Sequence, residues 1–143
     1  MQFRVQNLTV HKFGGASVKD ADAVRNVESI LQKCLVSPAV VVVSAMGKTT
    51  NKLEQVFSTL VSDGFDKSLE ELNEIVVAHQ KVIDALSIEL DLRELFVTAL
   101  KNSSQLDDIN AAYDELVASG EDASTKILFA YLDSNSWDVE WRD

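Results

Sequence analysis

The chain is poor in the residues that build covalent or metal-held frameworks. Its one cysteine, Cys34, has no partner within the chain, which excludes an internal disulfide. It falls on the apolar side of a predicted helix and is expected there as a small core residue. The two histidines, His11 and His79, lie far apart without zinc-ligand spacing, and His79 shares the apolar stripe of its helix, so packing is its expected role. No metal cage is expected. No apolar run approaches the ~20 residues that a membrane-spanning helix needs, and the N-terminus lacks the basic-then-apolar pattern of a secretory signal. A cytoplasmic location with no membrane partner is expected. Basic residues are scarce too: 13 Lys and Arg against 23 Asp and Glu leave a formal charge of −10. That balance argues against nucleic acid as a partner, because such binding needs clustered cations to displace counterions from phosphates.

What remains is ordinary globular composition, 46% hydrophobic and 25% charged over 143 residues, enough for one domain with a real core. Strand signals cover Leu8 to Phe13, Ala39 to Ser44 and, more weakly, Trp137 to Trp141, where apolar and acidic residues alternate. The run Ala39 to Ser44 reads as a strand buried on both faces. Between the strands the apolar spacing is helical. Val24, Val27, Ile30, Leu31, Cys34 and Leu35 mark a helix closed before Pro38, with a capping box expected at Ser17 to Asp20. A second helix begins near Thr50 and fades at Asp63-Gly64, and a third, capped at Ser68 to Glu71, turns Leu72, Ile75, His79 and Ile83 inward. Asp91 to Leu100 and Leu106 to Ala118 read as two more, followed by a helix through about Leu132 with Ser119 as its N-cap. This order predicts an α/β fold with a largely parallel sheet, right-handed crossovers and ligands at the carboxyl ends of the strands.

Both clear strands end in small, polar, glycine-containing loops. Lys12-Phe13-Gly14-Gly15-Ala16-Ser17 runs from strand to paired glycines to a helix start. Glycines remove the Cβ atoms that keep an anion away and tolerate positive φ, and the next helix turn offers unpaired N–H groups. Lys12 adds a mobile positive charge. The second strand ends in Ser44-Ala45-Met46-Gly47-Lys48-Thr49-Thr50-Asn51. Gly47-Lys48-Thr49 looks like the tail of a Walker A loop, yet that motif needs a glycine five residues before Gly47, where Val42 stands.

Together these segments resemble the aspartate kinases of the amino-acid kinase superfamily, whose members carry K-F-G-G-(T/A)-S near the start and a V-V-S-A-x-x-x-x-T-N loop next. Here the first reads Lys12 to Ser17 and the second Val43-Ser44-Ala45 through Thr50-Asn51. A third family segment, S-x-G-E-x-x-S, aligns with Val117 to Ser124. The resemblance implies a three-layer αβα sandwich, of which 1–143 is the N-terminal part of the catalytic domain, truncated at its C-terminus and carrying a helical insertion over about 66–118. It also implies ATP-dependent phosphorylation of the L-aspartate β-carboxylate to 4-phospho-L-aspartate, feeding lysine, threonine and methionine synthesis.

The same resemblance assigns roles. Lys12 would stabilise charge on the moving phosphoryl group, and Lys12, Phe13, Gly14, Gly15, Ser17 and Ser44 would hold the nucleotide. Thr50 and Glu121 would contact aspartate, Glu121 neutralising its ammonium. Magnesium would arrive with ATP, without an assignable protein ligand. A homo-oligomer is expected. The family's later elements have no counterpart before Asp143, so the chain alone is expected to be inactive or nearly so. An amino-acid kinase with another acceptor and a non-catalytic nucleotide- or partner-binding module stay open as alternatives.

Overall fold

A computed structural model describes residues 8–35 and 38–142. Strand β1 (Thr9–Phe13) leads through a 3₁₀ turn at Gly15–Val18 to helix α1 (Ala21–Cys34), then to β2 (Ala39–Val43), α2 (Thr49–Asp63), α3 (Phe65–Leu86), α4 (Arg93–Gln105) and α5 (Ile109–Ser134). β1 and β2 pair in parallel, with Lys12 opposite Val42 and Phe13 opposite Val43. Parallel neighbours need a crossover, and α1 supplies it. The expected α/β class with a parallel sheet is what forms.

The valine run, however, is covered on one face only. Val41 and Val43 pack with Phe13 against the helices, whereas Val10, Val40 and Val42 are 60%, 41% and 42% exposed. A continuous apolar run does not distinguish one covered face from two. Residues from all five helices share a single core with Phe13 and Val43, so of the three layers implied, the described residues contribute the sheet and one helical layer. Phe96, Leu53, Leu72, Leu100, Leu116 and Ile127 lie at the centre of that core.

Several helix boundaries differ from the sequence expectation, each for a local reason. Ser17 sits inside the 3₁₀ turn, and Asp20 caps α1 by accepting the Ala23 N–H at 2.8 Å. A carboxylate in that place also complements the helix dipole. Cys34 is exposed, not buried, because α1 ends there and Leu35 beyond it packs against the core instead. α3 starts at Phe65 rather than Ser68. Gly64 joins it to α2 with φ 92°, a region that favours glycine, and the buried Ser68 hydroxyl donates to the Phe65 carbonyl at 2.7 Å.

The two helices expected over Leu106–Ala118 and Ser119–Leu132 are one, α5, capped by Asp108, which accepts the Asn110 and Ala111 N–H groups at 2.9 Å each. Ser119 caps nothing; its hydroxyl donates back to the Leu116 carbonyl within the helix. That local bond lets serine sit in a helix interior. α4 likewise runs on to Gln105.

The third strand is absent among the described residues. Alternation at 137–141 serves a different end: the Trp137 indole N–H donates to Glu28 at 2.9 Å and that of Trp141 to Thr125 at 3.0 Å. Lys126 Nζ stands 4.7 Å from the centre of the Trp141 ring. The two indoles clip this segment onto α1 and α5 through side chains, so no strand partner is needed. Tyr131 and Asn135 also donate to Glu28, at 2.9 and 3.0 Å.

Candidate functional site

The loops that follow β1 and β2 are joined backbone to backbone. Phe13 is buried at the end of β1, and its carbonyl accepts the Ser44 N–H at 3.0 Å. One step further on, the Gly15 carbonyl accepts the Gly47 N–H at 2.9 Å. A Cβ on Gly15 would stand 2.6 Å from the Ala45 carbonyl oxygen and 3.0 Å from that of Gly47. Close approach, not positive φ, therefore demands glycine at Gly15. Gly14 is extended, with φ −75°, and a Cβ there would meet nothing within 4 Å. The positive φ belongs to Gly47, at 53°, where the second loop turns into α2.

Lys12, Gly14 and Ser17 are exposed on the first loop, and Ser44 and Thr50 are half-buried on the second. Thr50 lies in the opening turn of α2, whose N-cap, Lys48, makes no side-chain capping bond. The positive end of a helix dipole is thereby presented beside the strand ends.

Glu121 reaches this place from 71 residues beyond Thr50 because α5 docks there. The Ser124 hydroxyl donates to the Ser44 carbonyl at 2.7 Å. Gly120, buried in the middle of α5, brings the helix so near that a Cβ would stand 3.0 Å from Leu53, 3.2 Å from Ala45 and 3.2 Å from Thr49. Glu121 itself is exposed. Lys12 and Glu121 are not among the described ion pairs, which are Arg25–Asp22, Lys67–Asp63 and Arg142–Glu140. One cation and one anion thus flank the two loops with their charges available to a ligand.

Sequence reasoning overlooked the parts that hold this arrangement: Gly120 as a close-packing residue, Ser124 as a tie and Gly47 as a left-handed turn. A glycine inside an apolar helical pattern is the signal that points to the first. The described residues contain no group of three His, Cys, Asp or Glu side chains placed to hold a metal ion, and none of their helices is long and apolar enough to cross a membrane.

Comparison with known proteins is consistent with this geometry. The chain is 35% identical over 130 residues to aspartokinase 2, chloroplastic, of Arabidopsis thaliana and 34% identical over 132 residues to aspartokinase 1, chloroplastic, of the same plant. These alignments take in 86% and 87% of the chain. The chain spans about a quarter of the length of these curated relatives, 24% and 23% respectively. Among solved structures it superposes on E. coli aspartokinase III in complex with aspartate and ADP, with a TM-score of 0.77 and 28% identity, over 95% of this chain and 31% of that one. The same enzyme in complex with lysine and aspartate gives 0.76 and 27%, over 96% and 31%. The model of the amino acid kinase family matches residues 7–142, and the chain belongs to that family.

Proposed function

We propose that residues 1–143 form the N-terminal part of the catalytic domain of an aspartate kinase, with 66–118 as a helical insertion. The observation that carries this reading is the meeting of three separated segments, Lys12 to Ser17, Ser44 to Thr50 and the Glu121 turn of α5, at the carboxyl edge of the parallel sheet. Ligands of open α/β sheets bind at that edge. The likeness to an aspartokinase solved with aspartate and ADP supports the choice of ligands.

In this reading an oxygen of the aspartate β-carboxylate attacks the γ-phosphorus of ATP. The new O–P bond forms as the bond from that phosphorus to the β–γ bridging oxygen breaks, leaving ADP and 4-phospho-L-aspartate. The nucleophile is already ionised, so the reaction needs no general base. The protein's work is alignment and charge stabilisation. Lys12 supplies positive charge to the transferring phosphoryl oxygens. Gly14, Gly15 and Ser17 offer close backbone and hydroxyl contacts, with Phe13 fixing the loop from below and Ser44 bordering it. Thr50 and Glu121 position aspartate, the carboxylate of Glu121 meeting its ammonium. Magnesium enters only as the ion carried by ATP. A cytoplasmic, homo-oligomeric enzyme of lysine, threonine and methionine synthesis completes the proposal, with this chain alone inactive or nearly so.

The test is ATP-dependent aspartyl hydroxamate formation by the full-length protein, with Lys12→Ala and Glu121→Ala beside it. Activity with aspartate that falls by about a hundredfold or more in each variant is the expected result. Unchanged activity in both variants removes the site assignment, and no activity with aspartate removes the substrate.

A further inference from the structure

Helix α3 carries into the core the one buried side chain among the described residues whose charge changes near neutral pH, His79. Its ring is 3% exposed and meets Phe96 of α4 edge-on, with centroids 5.0 Å apart. Nδ1 lies 2.8 Å from the Ile75 carbonyl oxygen. A carbonyl only accepts, so Nδ1 carries the hydrogen and donates it. Nε2 has no hydrogen-bond partner among the described residues.

A second proton would have to sit on Nε2. There the new N–H would find no protein acceptor among the described residues, and the positive charge no carboxylate, since none of their ion pairs includes His79. The charged groups set around His79 are cations: Lys52 of α2 acts on the ring, and Lys48 and Lys19 line the same recess as this residue. From α4 comes the uncharged ring of Phe96. Burial pushes the imidazole pKa below its ordinary value; the bond to Ile75 opposes this and the Lys52 charge reinforces it. A buried charge without a partner is too costly to hold, so the group either stays neutral or leaves its place. Lys52 stands in the opening turn of α2, two residues beyond Thr50, so a charge on His79 would push against the end of α2 that borders the two loops.

We propose that His79 is an acid-sensitive latch on the helical layer: neutral, it closes α3 onto α4 and the opening turn of α2, and a proton taken up at Nε2 drives the ring out and parts α3 from Phe96. The latch does not depend on the kinase reading. Its sign follows from the two states. The unfolded or opened chain takes the proton near pH 6.5, whereas the closed chain resists it to lower pH. The latch is therefore fully closed above about pH 6.5 and gives way progressively as pH falls below it. Glu28 acts lower, around and below the ordinary glutamate range near pH 4.3, so the two acid responses are separable.

The experiment follows the 143-residue chain from about pH 7 to about pH 5, the span in which histidine titrates and most carboxylates do not, by urea unfolding, amide hydrogen exchange and ¹⁵N spectra of the histidine rings. The unfolding constant is expected to rise by up to about tenfold per pH unit, the slope of one proton taken up on unfolding. Protection factors in α3 and α4 fall over the same span while those of β1 and β2 hold. The His79 ring of the folded chain keeps the neutral form with the hydrogen on Nδ1 at about pH 6.5, where half of an ordinary histidine is charged. His79→Leu removes the slope, and His11→Gln, at the other histidine, keeps it. A His79 ring that charges near pH 6.5 in the folded chain overturns the proposal, a readout that stands even where His79→Leu does not fold. So does a slope retained in His79→Leu or lost in His11→Gln, or protection lost equally in the strands and in α3 and α4.

Discussion

The Ser124 hydroxyl donates to the main-chain carbonyl of Ser44 at 2.7 Å, across 80 residues of sequence. This bond ties the middle of α5 to the carboxyl end of β2 and so sets where Glu121 stands relative to the two loops. Removing the hydroxyl leaves the half-buried carbonyl short of a partner. Ser124→Ala is expected to cost about 1 kcal/mol, read as a lower urea midpoint with unchanged slope, and, under the proposed function, to weaken aspartate binding as Glu121 loses its anchor.

The paired glycines are not equivalent, and substitution should separate them. Gly15→Ala drives a methyl against the Ala45 carbonyl oxygen at 2.6 Å, and backbone on backbone has no easy escape. A loss of about 1–3 kcal/mol is expected, and, under the proposed function, weaker nucleotide binding with it. Gly14→Ala meets nothing within 4 Å and should leave stability nearly unchanged in the same urea titration. Equal losses at both positions would mean that conformational freedom, not space, selects these glycines.

Gly120 faces the opposite balance. Alanine in a helix interior is ordinarily better than glycine by about 1 kcal/mol, but here the added Cβ stands 3.0 Å from Leu53 and 3.2 Å from both Ala45 and Thr49. Gly120→Ala is expected to forfeit that gain and end near neutral or slightly destabilised. Gly120→Val should cost about 1–3 kcal/mol more, because a branched side chain cannot be absorbed by small shifts. Thermal melts of the two variants against the parent check the order.

Glu28 makes stability depend on acid. Burial pushes its carboxyl pKa up, yet hydrogen bonds from Trp137, Tyr131 and Asn135 outweigh that and hold it below its ordinary value. A lowered folded value means that the unfolded chain binds the proton more readily. The stabilisation is complete above the ordinary glutamate range, near pH 4.3, and is lost as pH falls through the folded value. Glu28→Gln is therefore expected to be less stable than the parent at neutral pH and to close part of that gap below about pH 4. Urea midpoints measured across that range give the answer.

The two strands, their parallel pairing and the loops at their ends were legible because each signal is local: a β-branched run, paired glycines, a turn beside a lysine. Boundaries were less so. Ser17, Ser68 and Ser119 all read as caps, since serine before an acidic or apolar turn is a cap in sequence, yet Ser68 and Ser119 satisfy their hydroxyls inside helices. Trp137, Val139 and Trp141 alternate like a strand, but alternation records which side chains turn inward, not what the backbone pairs with. Glu28, far away in sequence, decides that segment. The site followed the same rule: the motif residues could be named, while the contacts of Gly120, Ser124 and Gly47 that bring them together are long-range.

A continuous α5 has a mechanical side. Its 26 residues make a rod about 39 Å long, held near its centre by Gly120 and Ser124. Tyr113, towards one end, donates to Glu54 of α2 at 2.6 Å, and Tyr131, near the other, to Glu28 of α1 at 2.9 Å. A rod tied to the end of β2 at mid-length and to α2 and α1 towards its two ends is braced like a beam on three supports, so Glu121, beside the middle support, keeps its place relative to both loops.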